Sequence, residues 1–291
     1  MAENTYKEMG GGRSIFYGWG EAMHTRFDAI LCHRPQAECE AAFQKILSEL
    51  KRLDGRLSKF DPSSDIARIN ALAAEKPVAV DEEIWDILVS SLRYGARTAF
   101  NFDVTYASKK GSPDNRIHLD PKKKVVLFKS RGTEIDLGGF GKGYGLQKVQ
   151  EMLLADGWTD FLLNFGNSSV CARGDRPGAE GWSIGVENQS RPGINALEVT
   201  LRNQSLNTSG NTAQHTRHIY SSKWNEYVPG SKSVSVVTDL PLEGEILSTA
   251  LFSAGYSTDP KDKADLLKSF SNVQVYEIEY ALGSHTVKVI R

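Results

Sequence analysis

Between residues 134 and 153 a strand-like segment carrying Asp136 runs into Gly138, Gly139, Gly141, Gly143 and Gly145, with Lys142 among them, and then into a helical pattern. Glycines at a helix start let backbone N–H groups approach anionic oxygens, and the helix N-terminus adds partial positive charge. The spacing is neither G-x-G-x-x-G nor G-x-x-x-x-G-K-[ST], so the competing reading is a tight turn packed on a sheet. Lys142 favours the anion, because a cation at a helix start opposes the macrodipole unless a negative group sits there. Asp136 could cap the turn or accept a hydrogen bond from a ligand.

A second cluster lies at 243–255, where Glu245 and Thr249 stand four apart on one helical face with Ser248 adjoining. Carboxylate and hydroxyl oxygens suit Mg²⁺, whose shell substrate phosphates and water commonly complete. The plainer reading is a solvated carboxylate and two packing hydroxyls. A polar stretch at 206–220 leads to His215 and His218, either of which could act as a base near neutrality, although a surface histidine is the commoner case. Phe60, Tyr106 and Trp182 could stack on a flat ring, but large aromatics usually fill cores.

The elements that must position these groups follow from periodicity. Residues 25–32 read as a strand and 36–55 as an amphipathic helix. Pro62 and two serines break the chain before a helical turn at Asp65, and 81–99 is helical with acidic residues in its first turn. Residues 125–129 and 133–137 predict a hairpin around Arg131-Gly132, feeding the glycine turn and a helix to about Ala155. A strand-rich half follows from 161 to 238, then helices at 242–254 and 259–270 and strands at 273–280 and 285–290. The order is α+β, without internal repeats.

At 291 residues, 40% hydrophobic and 24% charged, the chain can bury a substantial core as one domain or as two packed halves. A net charge of -1 supplies no general field for nucleic acid, so any anion site is local. No apolar run approaches the ~20 residues of a membrane span, and no leader pattern opens the chain. A cytoplasmic location is the expectation, barring a removed leader. Cys32, Cys39 and Cys171 form no CxxC and are expected as core filler.

Taken in order, the clusters resemble the FAD:protein FMN transferases, the ApbE-like flavin transferase family. The resemblance runs from about Ala22 to Gly255. It rests on MHTRF at 23–27, RLSKFDPSSDIARIN at 56–70, NFDVT at 101–105, IDLGGFGKGY at 135–144, LNFGNS at 163–168, WSIGVEN at 182–188, LNTSGN at 206–211, HI at 218–219, SVSV at 233–236 and LSTAL at 247–251. It implies an α+β fold of mixed, largely antiparallel sheets packed with helices, with an N-terminal extension over 1–22 and one domain over 23–291.

The activity it implies is transfer of FMN from FAD to a threonine hydroxyl of an acceptor protein, with Mg²⁺ or Mn²⁺ and release of AMP. Some relatives instead hydrolyse FAD to FMN and AMP, and a non-catalytic flavin binder is the third reading. The resemblance implies that Met23, Phe60, Asn101, Phe102, Asp103, Asp136, Lys142 and Ser248 contact FAD. It likewise implies that the Gly139 carbonyl, Glu245 and Thr249 hold the metal and that His218 is the base. The chain departs from the family in four places: His24 stands for a glycine, Asn167 for the second glycine of a Gly-Gly pair, Glu245 for an aspartate, and Ser221 for the aspartate expected after His218.

Overall fold

In Thr25–Cys32 every second side chain is apolar, and Phe27, Ala29 and Leu31 are fully buried, as a strand covered on one face requires. The computed structural model describes residues 3–108, 112–211, 219–224, 226–255, 260–281 and 284–291. The described chain opens with β1 (Glu3–Gly10), β2 (Arg13–Ala22) and β3 (Thr25–Cys32), then α1 (Gln36–Leu57), α2 (Asp65–Leu72), β4 (Val78–Ala79) and α3 (Glu82–Arg97). β5 (Ile117–Asp120) and β6 (Val125–Phe128) precede α4 (Gly141–Ala155), β7 (Phe161–Phe165) and β8 (Ser169–Arg173). Next come β9 (Trp182–Glu187), β10 (Asn195–Leu201), β11 (Gln204–Gly210), the short β12 (Tyr220–Ser221) and β13 (Glu226–Tyr227), and β14 (Lys232–Thr238). Helices α5 (Pro241–Ala254) and α6 (Pro260–Lys268) and strands β15 (Gln274–Ala281) and β16 (Ser284–Val289) close it.

Nine strands form one antiparallel sheet in the order β1-β2-β3-β7-β8-β11-β14-β15-β16. Its α+β architecture is the expected one. On one face, Phe27, Leu163 and Phe165 pack with Phe43 of α1 and Leu146 of α4. Farther along that face α5 lies on β11 and β14 and against α4. The opposite face is partly covered by the β9–β10 hairpin, where Trp182 packs with Val170 and Leu206. Residues 3–22, set apart in the sequence as an extension, supply β1 and β2 of this sheet, and Phe16 of β2 is fully buried. The three cysteines are buried and free.

Local signals placed several boundaries. Asp81 caps α3 by accepting from the Ile84 N–H at 3.0 Å, and Ser64 caps α2 by accepting from Ala67 at 2.9 Å. The hairpin predicted for 125–129 and 133–137 does not form. β6 pairs instead with β5 and β4, in a separate three-stranded sheet. Residues 133–137 run outside any ladder because their backbone groups find other partners. The Asn70 side chain donates to the Ile135 carbonyl at 2.9 Å and accepts its N–H at 2.8 Å, while the Asp136 N–H donates to the Val104 carbonyl at 2.7 Å. Periodicity reports only that a segment is extended and half buried, and here a side-chain amide stands in for a neighbouring strand.

Candidate active site

The glycine turn is built for close packing. None of its five glycines has a positive φ. A Cβ on Gly143 would lie 2.6 Å from Cβ of Glu245, and one on Gly145 would lie 3.1 Å from Leu50. The missing side chains let α4 settle against α5 and α1. The start of α4 has no side-chain cap and no acidic residue in its first turn, which leaves its positive end available to an anion. Lys142, in that first turn, donates to Ser168 Oγ at 2.5 Å and stands 3.6 Å from Glu245 Oε1.

Glu245 is 5% exposed, and its carboxylate lies between α5 and the sheet. Oε2 accepts from Ser169 Oγ and, at 3.1 Å, from Asn207 Nδ2. One turn on, the hydroxyls of Thr249 and Ser248 donate to the Glu245 carbonyl at 3.0 and 3.1 Å, and both meet Ser209 Oγ, at 3.2 and 2.9 Å. Ser248 is buried in this arrangement. A Cβ on Gly139 would lie 3.8 Å from Thr249 Oγ1 and 3.5 Å from the Phe102 ring, so the turn, Phe102 and Thr249 are brought together.

Asp136 forms the other wall. Its Oδ2 accepts from Tyr106 at 2.7 Å and pairs with Lys59 at 2.9 Å, while Oδ1 caps the Gly138 N–H at 2.8 Å. Burial pushes its pKa up, but the bonds from Tyr106, Gly138 and Lys59 outweigh that and hold the carboxyl below its usual range. Burial first, then the bond to Asp136, raises the Tyr106 phenol. Phe60 beside Lys59 is 78% exposed and free to meet a ligand ring. Met23 packs its sulfur against the first turn of α4, 3.7 Å from where a Gly141 Cβ would lie, and its N–H donates to Asp54 at 2.9 Å.

The NFD segment at 101–103 is drawn together differently. Asn101 donates to the Thr98 carbonyl at 2.9 Å, and its Oδ1 is buried without a partner among the described residues. Asp103 is committed internally: Oδ2 accepts from Arg116 at 2.9 Å and Ser222 at 2.8 Å, and Oδ1 from the N–H and hydroxyl of Thr105. Trp182 lies under the opposite sheet face, its indole bonded to the Arg173 carbonyl at 3.0 Å. Both His215 and His218 fall outside the described residues. Ser221 is fully buried, with its hydroxyl unpartnered among the described residues.

Lys59, Ser168, Ser169, Asn207 and Ser209 were not singled out in the sequence. Strand alternation could have put Asn207 and Ser209 on one face, but not against α5. Among the described residues no three His, Cys, Asp or Glu side chains converge on a metal position. The oxygens present are one carboxylate, hydroxyls and a backbone carbonyl, a set that suits a hard dication rather than zinc. A pocket of about 390 Å³ on the sheet's other face, lined by Tyr17, Arg26 and Asp28, is separate from this cluster.

The sequence profile of the ApbE family matches residues 23–111 and 109–276. The chain belongs to the ApbE family. Among its relatives, the FAD:protein FMN transferase of Treponema pallidum (strain Nichols) is 25% identical over 87% of this chain and 76% of its own length. That of Klebsiella pneumoniae (strain 342) is 23% identical over 80% and 71%. The fold matches the flavin transferase ApbE of Vibrio cholerae with a TM-score of 0.78 at 16% identity, over 99% of this chain and 97% of that one. It matches the ApbE protein of Thermotoga maritima MSB8 with a TM-score of 0.79 at 20% identity, over 94% and 96%. His24 and Asn167 both have left-handed backbone, with φ of 57° and 56°. Glycine suits such positions, and Asn and His are among the residues that tolerate them.

Proposed function

We propose that this chain is a transferase that takes FMN from FAD and joins it through its phosphate to a threonine hydroxyl of an acceptor protein, with Mg²⁺ or Mn²⁺ and release of AMP. The observation that carries the reading is the convergence of Lys142, the uncapped start of α4 and the Glu245–Thr249 face of α5. Opposite charges and hard oxygens meet there beside a glycine-rich turn, as a pyrophosphate site requires.

In this reading the Lys142 ammonium and the N–H groups that follow Gly141 in the first turn of α4 bind the pyrophosphate oxygens, the Gly141 N–H itself donating to the Leu137 carbonyl at 2.8 Å. Glu245, Thr249 and the Gly139 carbonyl hold the dication, which supplies charge neutralisation to the phosphates. Phe60 and Met23 offer apolar surface to the flavin ring, and Asp136, held ionised, accepts a hydrogen bond from it or from its ribityl hydroxyls. The threonine oxygen attacks the FMN phosphorus, the bond to the AMP oxygen breaks, and the hydroxyl proton passes to a base, the part assigned to His218.

Ser221, where the family has an aspartate, favours weighing two other readings: FAD hydrolysis, with water as the attacking group, and flavin binding without turnover. Incubation with FAD and Mg²⁺, with and without an acceptor, separates them. AMP released only with acceptor supports transfer. AMP released without it replaces transfer by hydrolysis, and tight FAD binding without AMP leaves a binder.

A further inference from the structure

We infer that Ser169 and Asn207 are positioning residues for Glu245: a pair of donors on neighbouring strands that grips one carboxylate oxygen and leaves the other to face the metal. This rests on the reading of Glu245 as a metal ligand. Ser169 on β8 and Asn207 on β11 are directly opposed in the antiparallel ladder, and both are fully buried. Each donates to the same atom, Glu245 Oε2. Among the described residues no hydrogen bond reaches Oε1, and the Lys142 ammonium stands 3.6 Å from it, beyond a normal hydrogen bond.

The fork belongs to the interior of a nine-stranded sheet, so its geometry is set before any ligand arrives. Helix α5 reaches it because Gly244 has no side chain: a Cβ there would lie 2.2 Å from Asn207 Oδ1. A glutamate is one methylene longer than the family's aspartate and has one more rotatable bond to restrain. Drawing its carboxyl onto the sheet takes up the extra length and removes that freedom. A site with a single carboxylate depends heavily on how that carboxylate is held, and outer groups that orient a metal ligand typically change affinity ~10–100-fold.

If the two donors only compensate a buried charge, removing them lowers stability and leaves metal affinity alone. The test is titration of the whole protein with Mn²⁺ alone, followed by electron paramagnetic resonance of the free ion, with Mg²⁺ as competitor and Tm recorded in parallel. Ser169→Ala and Asn207→Leu should each weaken Mn²⁺ binding by ~10–100-fold, and Ser169→Thr should retain it. In a Glu245→Asp background the shorter carboxylate falls short of the fork, so adding Ser169→Ala should change nothing further. If Glu245→Gln loses affinity while Ser169→Ala and Asn207→Leu bind like the parent, the fork is overturned and the ligand reading stands. Parent-like binding by Glu245→Gln overturns both. Should Asn207→Leu fail to fold, the Ser169→Ala and Ser169→Thr comparison decides.

Discussion

At the scale of single residues, charge at the start of α4 separates binding from packing. Lys142→Ala should weaken FAD binding or turnover by about 1.5–3 kcal/mol, the loss of a charge-assisted hydrogen bond. Lys148→Ala, which removes the same charge two turns later on a partly exposed side chain, should leave both unchanged. Equal behaviour of the two variants in FAD titration and AMP release would reduce the turn to a packing device. Asp136 makes a pH prediction. Its folded pKa is below the ordinary 3.8, so its contribution to stability is complete above that pH and is lost as pH falls through the folded value. The stability gap between the parent and Asp136→Asn should therefore narrow as denaturation is repeated from pH 5 down to about pH 2.

Among the elements, the contact between α4 and α5 brings Lys142 to Glu245. Gly143→Ala places a methyl 2.6 Å from Glu245 Cβ and 3.0 Å from the Pro241 carbonyl, so the helices must part. We expect a loss of about 1–3 kcal/mol by denaturant melts and a larger fractional loss of AMP release. A variant with unchanged Tm and activity would contradict the close approach. The extended segment before the glycines makes a second case. Asn70→Leu leaves both polar groups of Ile135 without their partner, at about 1–3 kcal/mol for each buried group. Hydrogen exchange at Ile135 should accelerate with it.

For the molecule as a whole, the first strands test where the fold begins. β1 is exposed along nearly its whole length, whereas Phe16 of β2 is fully buried and its ring lies 5.6 Å from that of Phe43. Removing residues 1–12 should cost little in Tm. Phe16→Ala should cost about 3–5 kcal/mol, and removal through residue 22 should also uncover β3 as a long sheet edge and promote aggregation. Equal Tm for the two truncations would mean that β2 adds nothing to the core.

The sequence by itself determined the α+β class and most strands and helices, and it marked Asp136, Lys142, Glu245 and Thr249 as candidates. Those signals are local: the alternation of Thr25–Cys32, the caps at Ser64 and Asp81, and the glycines before α4 all act within a few residues. The tertiary structure decided what lies beyond that reach. The hairpin expected at 133–137 yielded to Asn70, some 65 residues away in the chain, because a backbone group needs a partner but does not specify which. The residues around Glu245 come from β8, β11 and α4, and strand periodicity reports which face a side chain takes but not which helix covers it. Likewise, Gly143 and Gly145 left an anion loop and a packed turn both open in one dimension; in three they are where α4 meets α5 and α1, a Cβ lying 2.6 Å from Glu245 at the first and 3.1 Å from Leu50 at the second.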